Sequence, residues 1–379
     1  MELFLGIVTG LAILVFLIVV HELGHAIVAR RNGVVVEEFG IGFPPRAWKR
    51  KLKNGIVFSL NWLPLGGFVK LQGEHNAANQ KSDYGSATFL QKTKIILAGV
   101  VINWLVAAVL LSILAVIGLP KILPNQVTVT NDAHVVSGPV QVVNVGEESP
   151  AEKSGLQIGD RIVTFEGQDV EAVDEFVEMI ASRQGESVAI VYERDGEEQA
   201  TQVTLREDGQ EGYLGAGLGQ KESIKATWSA PLVGVATTAQ FTVVTLQGIG
   251  ELLANLVGGA VMQLSPDAET RERASSDLAE VGDSVAGPIG ILGVLFPAAQ
   301  QAGIAQLIFL TAIISLTLAV INILPIPALD GGRWTIMAIY KALKKELTKE
   351  REEMIQMIGF TVLIGLVILV TVADVGKLF

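Results

Sequence analysis

A chain of 379 residues has room for two or three soluble domains, but half of its residues are apolar, and the mean hydropathy of +0.47 and their clustering exclude that reading in favour of a membrane protein with one soluble insert. There are no cysteines, so neither a disulfide framework nor a thiolate metal site is possible. The net charge is −11, and no basic stripe lies outside the membrane flanks, which excludes nucleic acid as a partner.

The first apolar run, Leu3–Ala29, lacks the basic start and small-residue cleavage site of a signal peptide, so it reads as a retained helix. Three further runs are long enough to span: Ile95–Leu119, Ile304–Leu324 and Ile358–Val375. Pro231–Met262 is apolar but interrupted by Gln240, Gln247, Glu251 and Asn255, and reads as an amphipathic helix. Seven basic residues lie between Arg30 and Lys53, and Arg333, Lys341, Lys344, Lys345, Lys349 and Arg351 follow the third span. Lys/Arg placement puts both segments in the cytoplasm, and the termini and the intervening insert outside. The predicted class is a polytopic α-helical membrane protein of about four spans, with a PDZ-like α/β extracytoplasmic insert and a small membrane-associated sheet. The expected boundaries are 1–31, 93–120, 303–332 and 357–377 for the helical segments carrying the spans and 32–92 for a cytoplasmic loop with a β-hairpin. The rest are 126–208 for the insert, 229–262 for the amphipathic helix, 263–302 for a polar loop with GPIGI, and 333–356 for a cytoplasmic amphipathic helix.

In the first loop, Ile56–Leu60 and Gly66–Leu71 read as strands either side of a turn at Leu63-Pro64-Leu65. Two roles fit them: a hairpin that covers the site, or an edge that accepts an extended peptide. The insert is acidic, with 19 acidic and 5 basic residues between Val127 and Gly212. Strands are expected at Val140–Val145, Arg161–Phe165, Val188–Glu193 and Thr201–Leu205, a short helix from Ser149, and an amphipathic helix over Val173–Ala181. The stretch SPAEKSGLQIGDRIVTFEGQDV resembles a bacterial PDZ domain, a fold that takes peptides along a strand edge; a spacer or plug is the plainer alternative.

The chemistry concentrates in His21-Glu22-Leu23-Gly24-His25. Residues i and i+4 share a helix face, so both imidazoles can meet one ion, while Glu22 sits about 100° round the helix, placed as a general base. Three ionisable groups at the end of a span are costly unless they serve a function. His21 lies 18 residues past Leu3, about 27 Å along a helix, near the cytoplasmic side of the bilayer. A catalytic zinc needs a third protein ligand. His75, in a polar loop, and His134, across the membrane, read as ordinary surface histidines. Asp330 is the better candidate, because Pro325 and Pro327 break the third span just before it; a turn aspartate ahead of Gly331-Gly332 is the alternative.

HELGH, LPLGGFVKL, the PDZ-like insert, GPIGI at Gly287–Ile291 and NILPIPALDGG together resemble the bacterial site-2 protease family, and in particular the type that cleaves anti-sigma factors and spent signal peptides. The resemblance covers nearly the whole chain. It implies one zinc ion held by His21, His25 and Asp330, with Glu22 as base. It also implies that Asn322, Pro325 and Pro327 contact or position substrate, and that Gly66, Gly67, Phe68, Val69 and Lys70 form a membrane-associated strand near the cleft. Single-pass membrane proteins are the substrates it implies, a peptide or substrate segment the ligand of the PDZ-like unit, and the bacterial inner membrane the location. Some members carry two PDZ units in tandem; this chain shows one, and the loop Ser265–Asp283 has no counterpart. From the residues alone, two other classes stay open: a membrane-anchored PDZ adaptor with a structural metal, and a metal-ion transporter. An intact Glu22 argues against the first, and a single polar cluster against the second.

Overall fold

The computed structural model describes all residues except 75–77, 79, 208–211, 264, 266, 268–270, 272–285 and 379. His75 and most of the expected polar loop over 263–286 therefore lie outside the described residues. The chain forms two compact units, one of Leu114–Val233 and one of the remainder.

The larger unit is built on helices. They are α1 (Glu2–Arg31), α2 (Phe89–Ile117), α5 (Ala230–Met262), the short α6 (Pro288–Gly290), a π-turn at Ile291–Leu295, α7 (Phe296–Gln301), α8 (Ile304–Ile323), α9 (Asp330–Ala342) and α10 (Lys349–Leu378). Five stretches among the described residues are long and apolar enough to cross a bilayer: Glu2–Arg31, Phe89–Ile117, Ala230–Asn255, Ile304–Ile323 and Lys349–Gly376. Four of these overlap the four expected spans, two of which run one or two residues past the helix at their C-terminal ends. The fifth lies in the segment read as amphipathic, and its mean hydropathy of 1.4 is the lowest of the set. Two of its hydroxyls are absorbed locally: Thr238 and Thr242 each donate to the carbonyl one turn back, and Trp104 of α2 donates to Thr242 at 3.0 Å.

Close helix contacts use small residues, as packing without a hydrophobic driving force requires. A Cβ at Gly24 of α1 would lie 2.8 Å from the carbonyl oxygen of Ala98 on α2. Gly6 and Gly10 of α1 meet Pro297 and Phe296 of α7 in the same way. The GPIGI segment is tied down by a carboxylate: Asp374 near the end of α10 accepts from the backbone N–H groups of Gly287 at 3.0 Å and Gly290 at 2.8 Å.

Between α1 and α2 lie β1 (Val36–Lys51) and β2 (Val57–Leu71), paired antiparallel. Both strands fold back. Gly40 pairs with Phe68 on one side and with Ser59 on the other, and Ile41 with Gly67 and Leu60. The first limb of β1 is thus sandwiched between the two limbs of β2, which are the two runs expected around Leu63-Pro64-Leu65. Asn61 holds the bend, donating to the carbonyls of Ile41 and Gly42. The partner strand β1 carries no clear period-2 pattern and is not evident in the sequence.

The insert holds β3 (Leu119–Pro120), β4 (His134–Val145), α3 (Pro150–Lys153), β5 (Arg161–Phe165), β6 (Gln168–Asp169), α4 (Val173–Ala181), β7 (Ser187–Arg194), β8 (Glu197–Thr204) and β9 (Ala216–Lys225). Its sheet runs β3-β9-β4-β5-β7-β8, with β6 on β5. Ser149 caps α3, its hydroxyl accepting from the Glu152 amide, while the Glu152 carboxylate accepts from the amide of Glu148, one residue ahead of the cap. Phe165 and Phe176 meet edge to face at 5.6 Å over a core that includes Val140, Ile162, Ile190 and Val203. Asp160 is buried; it accepts from the guanidinium of Arg194 at 2.7 Å and from the Gln157 amide at 2.7 Å. The strand β9 lies beyond residue 208, where the expected insert ended, yet it pairs along the length of β4. Polar and glycine-rich, Ala216–Lys225 shows little strand signal of its own; the long-range pairing places it.

Candidate metal centre

His21 and His25 stand one turn apart on α1, and Asp330 opens α9. Three side-chain atoms converge: the two Nε2 atoms are 3.2 Å apart, and Oδ2 of Asp330 is 3.2 Å from His21 Nε2 and 3.3 Å from His25 Nε2. Zinc bonds of about 2.0–2.2 Å in a tetrahedron imply ligand–ligand edges of about 3.4 Å, which this triangle matches. Nδ1 of His25 lies 2.8 Å from the carbonyl oxygen of Ile95. A carbonyl only accepts, so Nδ1 donates its proton there, and Nε2 is the ring atom turned to the other two side chains. It faces Oδ2 of Asp330, which is buried. Two imidazole nitrogens and a carboxylate oxygen at these separations are the donor set of a zinc site, so the residues fit a zinc ion.

The Asp330 end is fixed by a turn at residues 326–329, in which the Leu329 amide donates to the Ile326 carbonyl at 3.1 Å, and by close backbone packing after it. Any Cβ on Gly331 or Gly332 would run into the carbonyls of Ile323 and Ile326, so only glycine lets the first turn of α9 lie against the broken end of α8. Ala328 takes a positive φ of 75°, and its amide donates at 2.6 Å to the Gln356 side chain of α10. Arg333, one turn into α9, donates to the carboxylate of Glu74 at 3.1 Å and to the Glu74 carbonyl at 2.7 Å, and stacks 4.7 Å over the ring of Tyr84. Burial pushes the phenol of Tyr84 up to about 12, so it stays neutral.

A cavity of about 190 Å³ opens on this centre, lined by Glu22, His25, Gly67, Phe68, Val69 and Asp330 among others. Gly67 brings the β2 edge against α1: a Cβ there would lie 3.3 Å from Cγ of Glu22. Of the residues singled out in the sequence, His21, Glu22, His25 and Asp330 are thus brought together with Gly67, Phe68 and Val69. Gly66 sits in the bend of β2 with a φ of 110°, packed on Phe43. Asn322 donates to the carbonyl of Leu318 in its own helix at 2.9 Å, and Pro327 packs on Gly359 of α10. Pro325 is exposed, and none of these three lines the cavity. His134 is an exposed residue of β4.

Gly99 of α2 gives no signal in the sequence, being one small residue in an apolar span. In the structure a Cβ at Gly99 would lie 2.5 Å from Cε1 of His21 and 2.5 Å from Nε2 of His25. Gly99→Ala is expected to displace the imidazoles. Overpacking of about 1–3 kcal/mol that falls on the metal-bound geometry corresponds to about a five- to 150-fold loss of metal affinity. Elemental analysis of the dialysed protein measures it; a full equivalent of zinc held at wild-type affinity would show that the rings move aside freely.

A helix-borne His-Glu-x-x-His joined by a distant carboxylate, set among bilayer-length helices, defines a membrane metallopeptidase. Comparison with known proteins agrees. The model of peptidase family M50 matches residues 9–366. The protein CPE1693 of Clostridium perfringens is 30% identical over 361 residues, with 95% of each chain covered. The zinc metalloprotease RasP of Geobacillus kaustophilus is 26% identical over 457 aligned positions, with 99% of this chain and 98% of that one covered. Among solved structures, the PDZ domain of an SdrC-like protein (Lmo2051) of Listeria monocytogenes matches at 27% identity, covering 24% of this chain and 93% of that one, with a TM-score of 0.20. The chain belongs to peptidase family M50, the site-2 zinc metalloproteases.

Proposed function

We propose that this protein is an intramembrane zinc endopeptidase that cuts single-pass membrane proteins within, or at the edge of, their transmembrane helix. The observation that carries the reading is the 3.2–3.3 Å triangle of His21, His25 and Asp330, sharing one cavity with Glu22 and the β2 edge. Zinc, when bound there, polarises the scissile carbonyl and makes water acidic near neutral pH. Glu22 takes the proton as the water oxygen adds to the carbonyl carbon, and returns it to the leaving nitrogen as the C–N bond breaks. A helical substrate hides its carbonyls in its own hydrogen bonds, so it must unwind first. The edge at Gly67, Phe68 and Val69 is placed to hold the unwound stretch extended. Asn322, which bonds its own helix, and Pro325 and Pro327 then act by shaping the break before Asp330. Lys/Arg placement puts the centre near the cytoplasmic side and the PDZ-like insert outside, where it takes a peptide or a segment of the substrate. Anti-sigma factors and remnant signal peptides are the substrates that the family resemblance favours.

Reconstituted into vesicles, the wild-type protein should cleave a labelled transmembrane peptide, lose that activity to a zinc chelator and regain it with added zinc. Mass spectrometry of the products should place the cut inside the apolar segment. Undiminished cleavage in the chelated protein, or zinc uptake by the vesicles without cleavage, would overturn the assignment; the second result would favour a transporter.

A further inference from the structure

A second cavity lies against Gly24. It has a volume of about 490 Å³ and runs between facing stripes of α1 and α2, with Gly24, Ile27 and Arg31 on one wall and Lys94, Ala98 and Val101 on the other. The spacing of each stripe keeps it on a single helix face. From Gly24 to Arg31, or from Lys94 to Val101, the groove is about 10 Å long at 1.5 Å per residue. It is apolar along its length and basic at one end only. Ile27 and Val101 are exposed and face what surrounds the helices, while Arg31 and Lys94 are exposed and form no ion pair among the described residues.

We propose that this groove is a binding site for an anionic phospholipid, with part of an acyl chain lying along Ile27 and Val101 and the phosphate between Arg31 and Lys94. Charge and shape point to the same occupant. A bilayer supplies a molecule that is apolar along one arm and anionic at its end, at the depth where a span terminates in basic residues. The groove is linked to the peptidase centre through both helices, Gly24 preceding His25 and Lys94 preceding Ile95. Gly24 packs on the carbonyl of Ala98, and one turn away the carbonyl of Ile95 orients His25. A lipid wedged there supports the α1–α2 contact on which the His25 ring depends, so the peptidase should work faster in bilayers containing that lipid.

Native mass spectrometry of the full chain in detergent, titrated with phosphatidylglycerol or phosphatidylcholine, tests this without relying on activity. One phosphatidylglycerol should be retained, with phosphatidylcholine held at least about tenfold more weakly. The double variant Arg31→Gln/Lys94→Gln should lose the anionic preference by a similar factor, while Arg50→Gln/Lys51→Gln, which removes two exposed charges elsewhere, should keep it. Val101→Trp leaves both cations in place and fills the groove, and it should also release the lipid. Equal retention by wild type and Arg31→Gln/Lys94→Gln, an equal loss in Arg50→Gln/Lys51→Gln, or full retention by Val101→Trp would each overturn the site. Displacement of the lipid by inorganic phosphate alone would do so too, because it would leave a phosphate site with no part for the acyl chain.

Discussion

Glu22→Gln should leave one zinc bound per chain and reduce cleavage of a transmembrane peptide by about a hundredfold to ten-thousandfold, the contribution of a positioned general base. The substitution keeps the shape of the side chain, so the packing of Cγ against Gly67 and the course of α1 are preserved. It removes only the ability to take a proton. Glu22 is not among the three atoms that converge on the metal position, so metal content should not change. The paired measurement is elemental analysis and single-turnover cleavage on the same preparation. Zinc retained at full occupancy with cleavage at the wild-type rate would eliminate Glu22 as the base. Loss of both would mean that Glu22 helps to hold the ion, and Glu74, the other glutamate lining that cavity, would become the candidate base.

How far this centre is legible in the sequence follows from how local each part is. His21, Glu22 and His25 are related by helix geometry alone, and five residues suffice to read them. Asp330 is 305 residues from His25 and is legible only because prolines break an apolar run beside it. The glycines after it suggest a turn, yet their role is to let α9 approach the carbonyls of Ile323 and Ile326, a relation between segments that no local pattern encodes. Gly99 is invisible for the same reason: it matters because α2 crosses α1 at the imidazoles. Arg333 reads as one of several basic residues after a span, and only the fold shows it clasping Glu74 and Tyr84. In the insert, the helix Val173–Ala181 follows from its spacing of apolar residues, whereas β9 is specified by pairing with β4.

Asp330→Ala should weaken zinc binding by more than about a hundredfold, because loss of even an outer partner of a metal ligand costs about 10–100-fold and a ligand is worth more. The competing explanation for this residue is structural. Asp330 is the first residue of α9, where a carboxylate also favours the helix dipole by about 0.3–1 kcal/mol. That role predicts a small fall in thermal stability with zinc unaffected; the ligand role predicts the reverse order of magnitude. Titration against a coloured zinc chelator separates the two, with Asp330→Asn as the second variant, since it keeps the side-chain shape and removes the charge. If both variants hold zinc as tightly as wild type, the third ligand lies elsewhere. Glu74 would have to release Arg333 to serve, since its carboxylate now takes a hydrogen bond from that guanidinium at 3.1 Å. Loss of zinc in both variants, with the melting temperature of the chelated proteins unchanged, would leave metal binding as the role of this carboxylate.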